Sequence, residues 1–170
     1  MGVVDAPSEL KALADNLLPS SFEYAGKKLA KRLLGRVPLI YTSARNHAIA
    51  YNWKIKCNET GKIPAFMNVL PELNHNEMVG FGGLKKVGFK NFCAVVLQDK
   101  TENPRIIERM NLTAKIIKKS GAKVETVFIK EGGMIFKIFS LLLLGDWTSY
   151  YLALHYKIDP TPVVMVEEFK

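Results

Sequence analysis

Apolar and polar positions along this chain fall into blocks that alternate between strand and helix spacing. Residues 37–42, 65–70, 92–97 and 124–129 are short apolar runs bounded by polar or Gly/Pro positions, which predicts strands. Between the last two lies the clearest helix, with Pro104 in its first turn and Ser120-Gly121 after its last. Ile106, Met110, Ala114 and Ile117 give that helix a single apolar stripe. Further helices are expected over 9–18 (capped by Ser8, stopped near Pro19), 22–34 (ended by Gly35) and 44–56 (capped by Ser43). Ile49, Trp53 and Cys57 form one face of the last of these. A long helix over 134–156 and a short one from about 164 complete the chain.

Strand, helix and strand at this spacing predict parallel pairing with a right-handed crossover. Residues 92–97 are apolar at every position, as in a strand covered on both faces. The expected fold is a three-layer αβα sandwich with a mostly parallel sheet, over residues 37–170, preceded by a helical segment over 1–36. Internal repeats and low-complexity segments are absent from the sequence.

Composition narrows the class. With 170 residues, 48% hydrophobic and 24% charged, the chain is long and apolar enough for one proper core. Asp5 and Glu9 interrupt the first ten residues, so no cleavable leader is expected there. The most apolar stretch, 134–144, carries Lys137 and is shorter than the ~20 residues of a membrane span, so it predicts a buried helix and no membrane partner. Cys57 and Cys93 match neither a disulfide framework nor a zinc spacing, which points to a reducing cytoplasm. The net charge of +8 is spread along helix faces without an aromatic ladder, so no nucleic-acid partner is expected. Such a surface equally suits an anionic small molecule.

The candidate chemistry sits between Asn58 and Asn76. Asn58-Glu59-Thr60-Gly61-Lys62 and Leu70-Pro71-Glu72-Leu73-Asn74-His75-Asn76 flank the apolar run 63–70, presenting a carboxylate and an imidazole at its two ends. Glu59 falls at a helix carboxyl terminus, where the dipole disfavours negative charge and gives a base reason for a raised pKa; a solvated Glu59 paired with Lys62 is the plainer alternative. His75 lies between two amides able to fix its tautomer, or is an ordinary loop histidine. His47 and His155 share no metal-ligand spacing with it. Gly80-Phe81-Gly82-Gly83 reads as a turn, because no helix opens directly after it. Thr42, Ser43 and Arg45 stand where a strand meets a helix amino terminus, a place suited to an anion, although capping explains Ser43 as well.

These motifs resemble the carboxyl-terminal half of the bifunctional phosphoglucose/phosphomannose isomerases. Tyr51-Asn52-Trp53-Lys54, the Asn58–Lys62 and Leu70–Asn76 clusters, 146–154, Asp159-Pro160-Thr161-Pro162-Val163 and the ending Glu167-Glu168-Phe169-Lys170 carry the resemblance, from about Val37 to Lys170. It implies a sugar-isomerase (SIS) domain that interconverts glucose 6-phosphate, and mannose 6-phosphate, with fructose 6-phosphate through an enediol, with no cofactor or metal. Glu59 matches the base that moves the proton between C1 and C2. His75 matches the ring-opening histidine, which reaches the site from the partner subunit of a homodimer. Lys170 matches a lysine that contacts the sugar near its ring oxygen. Where the family carries a threonine linked to the mannose epimer, this chain has Val163, with Thr161 nearby. The resemblance also implies a second, amino-terminal SIS domain that holds the phosphate, absent from these residues.

Overall fold

The structure, a computed structural model, describes residues 6–82 and 88–170. Four parallel strands form one sheet in the order β2-β1-β3-β4: β1 (Val37–Ser43), β2 (Phe66–Leu70), β3 (Phe92–Gln98) and β4 (Lys123–Phe128). The all-apolar run becomes the inner strand β3, buried from Cys93 to Gln98 and flanked by β1 and β4. Strand periodicity sorts its side chains between two cores. Cys93, Val95 and Leu97 face one, while Ala94 and Val96 join Leu39 and Tyr41 of β1 in the other.

The first core is covered by α2 (Glu23–Leu33), α3 (His47–Glu59) and α6 (Met134–His155), and the second by α5 (Pro104–Lys119). Helices thus lie on both faces of a parallel sheet, as the periodicity predicted. α2 is part of this body: Leu29, Ala30 and Leu33 share the core of Ile40 and Val95. α1 (Ala6–Asn16), α4 (Glu77–Gly80) and α7 (Val164–Phe169) are short additions at the periphery.

Several expected boundaries shift for local reasons. α1 begins before Ser8, so Ser8 lies inside its first turn. A 3-10 turn over Ala44–Asn46 delays α3 to His47, and α3 then continues to Glu59. Ser43 makes no capping bond with its side chain, because its hydroxyl is engaged elsewhere. The stretch 134–144 is less buried than expected: only Ser140 and Leu141 are buried, since α6 packs along both α2 and α3 and leaves its flanks half-exposed. Gly83 of the glycine-rich turn falls outside the described residues, while Phe81 is buried and stacks on Phe89.

Two glycines allow the helices to meet. A Cβ on Gly26 of α2 would stand 2.4 Å from Trp147 Cβ and 3.0 Å from the Thr148 backbone nitrogen of α6. A Cβ on Gly145 would stand 2.9 Å from Trp53 Nε1. Gly26→Ala is therefore expected to destabilise the fold by about 1–3 kcal/mol by forcing α2 off α6, read as a lower urea midpoint. An unchanged midpoint would show that the helices can separate freely.

Both cysteines are buried and free. Burial pushes the Cys57 and Cys93 thiols up to about 11, so they remain protonated near neutral pH. Among the described residues no helix is long and apolar enough to cross a membrane, and no cluster of His, Cys, Asp or Glu could hold a metal ion.

Candidate active site

Because all strands run the same way, the loops fall into two sets, one at each edge of the sheet. α3 runs back from the carboxyl end of β1, so Glu59, its last residue, lies at the edge where β2 begins. Asn58 fixes this corner, its Oδ1 accepting the Ala65 N–H at 2.8 Å. Glu59 is exposed, and among the described residues its carboxylate takes no hydrogen bond or ion pair. The Lys62 ammonium turns instead to the Pro162 carbonyl, so the expected Glu59–Lys62 pair does not form.

That contact brings the end of the chain to Glu59's edge. Lys54, Asn58, Lys62 and Phe66 line a cleft of about 550 Å³ together with Met165 of α7. Thr161 is exposed on the approach to α7, its N–H donating to Asp159 Oδ1 at 2.8 Å. This bond, with a smaller contribution from Lys62, holds the Asp159 carboxyl below its ordinary range. Lys170 is exposed and pairs with Glu167 at 2.8 Å. Glu59 and the Thr161 segment thus lie toward one edge, with an open cleft between α3 and Met165 of α7, and Lys170 follows α7 as the last residue.

His75 lies at the other edge. It follows the end of β2, in the loop between Leu70 and α4, and is exposed. β2 has five residues, and at ~3.3 Å per residue its first and last are about 13 Å apart. Glu59 and His75 of one chain therefore do not converge. The flanking amides do not orient the imidazole either. Asn74 Nδ2 donates to Thr113 Oγ1 at 2.8 Å, and Asn76 Nδ2 donates to Glu72 Oε1 at 2.8 Å.

Ser43 and Arg45 share the His75 edge. The Thr42 hydroxyl donates to the Leu97 carbonyl, and Ser43 Oγ donates to Glu102 and accepts from Asn46, so both hydroxyls already have partners. Arg45 is exposed at the mouth of a cavity of about 280 Å³, floored by Ile49, Ile129 and Leu142.

The same cavity contains a buried ion pair that sequence reading passed over. Asp99, 3% exposed, follows β3 and meets the Lys137 ammonium at 3.1 Å. Burial alone would raise its carboxyl, but hydrogen bonds from Thr101 and Lys137 outweigh burial and hold it below the ordinary carboxylate range. The available signal was an acid one residue beyond an all-apolar run, at the carboxyl end of a strand in a parallel sheet. A carboxyl lowered on folding stabilises fully above its unfolded value of ~3.9, and that stability is lost as pH falls through the lower folded value. Lys137→Met is accordingly expected to cost about 1.5–3 kcal/mol at pH 7, with the deficit shrinking in acid. Urea unfolding at pH 7 and pH 3 checks this; a deficit that does not change with pH would mean lost packing rather than lost charge.

A second acid missed from the sequence is Glu77 of α4. It accepts from the buried Tyr41 hydroxyl through one oxygen and from Asn68 Nδ2, at 2.8 Å, through the other. Burial, then the Glu77 carboxylate, push the Tyr41 phenol far above its ordinary range, so it acts as a fixed donor. Polar alternation could not reveal this pairing, since Tyr41 and Glu77 are 36 positions apart.

Residues 22–170 match the bacterial phospho-glucose isomerase C-terminal SIS domain. The chain is 34% identical over 167 residues to the bifunctional phosphoglucose/phosphomannose isomerase of Aquifex aeolicus, covering 95% of this chain and 51% of that protein. It is 37% identical over 145 residues to the protein of the same name from Caldicellulosiruptor bescii, covering 85% and 42%. The chain thus spans about half the length of the curated relatives it matches. Among solved structures, a glucose-6-phosphate isomerase like protein from Thermus thermophilus superposes with a TM-score of 0.65 at 22% identity, covering 85% of this chain and 46% of that one. The C-terminal domain of glucosamine-fructose-6-phosphate aminotransferase from Francisella tularensis gives 0.63 at 14% identity, covering 92% and 48%. At these identities the structural likeness establishes the fold.

Proposed function

The chain belongs to the bacterial phospho-glucose isomerase C-terminal SIS domain family, and on that premise we propose that it is the proton-transferring half of an aldose–ketose isomerase. Its substrate is glucose 6-phosphate in exchange with fructose 6-phosphate; mannose 6-phosphate is the second candidate, with Val163 standing where the family carries the epimer-linked threonine. Glu59 takes the C2 proton of the open-chain aldose, leaving an enediol, and returns it to C1 as the hydroxyl proton moves from O2 to O1. A carboxylate suits this shuttle, because it holds one proton and can release it to either adjacent carbon. Thr161 and Lys170 contact the sugar from the same edge, the ammonium offsetting charge on developing oxyanions. His75 opens the sugar ring at the site of a second copy, in a homodimer. Ser43 and Arg45, at the far edge from Glu59, are not assigned to this sugar.

The observation that carries the reading is Glu59 itself. Its carboxylate is exposed and unpartnered among the described residues, at the edge where the chain's last segment folds back. Separation of His75 from Glu59 by the length of β2 supports its service to a neighbouring protomer. The phosphate falls to a separate amino-terminal SIS domain, since Thr42 and Ser43 spend their hydroxyls internally. That commitment also favours a second reading, a non-catalytic phosphosugar-binding or dimerisation module.

A coupled assay converting fructose 6-phosphate to glucose 6-phosphate separates the two. It is run on this chain alone and on the chain co-expressed with the amino-terminal half of the Aquifex relative. Activity that requires both halves and disappears with Glu59→Gln is expected. Phosphosugar binding without turnover in the folded complex would leave the module reading.

A further inference from the structure

The loop that carries His75 is held far more firmly than an exposed turn requires. Leu73 is fully buried, and Asn74 bonds to Thr113 of α5 on one side of the histidine. On the other side Glu77 reaches back across the sheet edge, each oxygen occupied, by Tyr41 of β1 and Asn68 of β2. Asn68 has no freedom to turn over, because its Oδ1 accepts the Val69 N–H at 2.8 Å. An anchor that served packing alone could be apolar, since taking a carboxylate out of water costs energy that only its bonds return.

We infer that Glu77, clamped by Tyr41 and Asn68, is the positioning residue for His75, fixing the loop so that the imidazole projects beyond the end of β2. The inference rests on the assignment of His75 to ring opening. Glu77 acts through geometry and does not touch the sugar.

The hydrogen-bond pattern supplies its own test. In Glu77→Gln the new amide can satisfy Asn68 or Tyr41, not both: facing Asn68 it sets donor against donor, and facing Tyr41 it strands a buried hydroxyl hydrogen. Adding Asn68→Asp repairs this. The carboxylate introduced at position 68 accepts from the Val69 N–H and from the new amide's NH2 group at position 77. The oxygen of that amide is then free to accept from Tyr41.

The first readout is the NMR signal of the His75 ring in the 170-residue chain. Glu77→Gln is expected to broaden or split it, and Asn68→Asp/Glu77→Gln to restore one sharp signal. The second is turnover in the two-half enzyme, where Glu77→Gln is expected to lower kcat about 10- to 100-fold with KM little changed. The double variant is expected to recover kcat. A His75 signal unmoved by Glu77→Gln overturns the inference, as does a double variant that regains the signal without regaining kcat. If His75→Ala leaves kcat unchanged while Glu77→Gln still splits the signal, the loop clamp stands and the ring-opening assignment fails.

Discussion

Glu59→Gln is expected to lower kcat for fructose 6-phosphate isomerisation by about 100- to 10,000-fold in the two-half enzyme, while phosphosugar affinity stays within a few-fold. Gln keeps the shape and polarity of the side chain but cannot take a proton from carbon. The Glu59 side chain makes no structural bond among the described residues, so its replacement removes chemistry without removing an anchor. Stopped-assay rates with a direct binding titration test this. Equal loss of turnover and affinity would make Glu59 a binding residue. An unchanged rate would remove it from the mechanism.

The largest expected effect on stability comes from Trp53→Ala, at about 3–5 kcal/mol. Trp53 is 1% exposed, between the sheet and α6, and Nε1 donates to the Leu141 carbonyl at 2.9 Å. Gly145 leaves the ring its space, since a Cβ there would stand 2.9 Å from Trp53 Nε1. Chemical denaturation should show a large fall in midpoint at unchanged slope. A loss below about 1 kcal/mol would mean that α3 and α6 close over the gap.

Much of this architecture can be read along the chain, because it depends on local repetition. The β3 run announces a doubly covered strand, and the stripe Ile106, Met110, Ala114, Ile117 announces the helix over its second face. Glu59 and His75 stand out through their local motifs, and the family resemblance gives them roles. The boundary of α3 was less legible. Ser43 looks like a cap, yet its hydroxyl prefers Glu102, 59 positions away. Glu77 and Asp99 were passed over for the same reason: each is an ordinary acid until Tyr41, Asn68 or Lys137 is brought to it.

Order along the chain was enough to reach the αβα sandwich and the parallel sheet, and to nominate candidate residues for proton transfer. Periodicity and residue chemistry are properties of neighbours in the chain. Folding in three dimensions is what puts Glu59 and the Thr161 segment at one edge and His75, Ser43 and Arg45 at the other. That division follows from parallel strands, which send every strand-to-helix turn to one edge and every helix-to-strand turn to the opposite edge. Motifs separated by a few residues of β2 are thereby placed a strand's length apart, and the chain's last residues are returned to its middle.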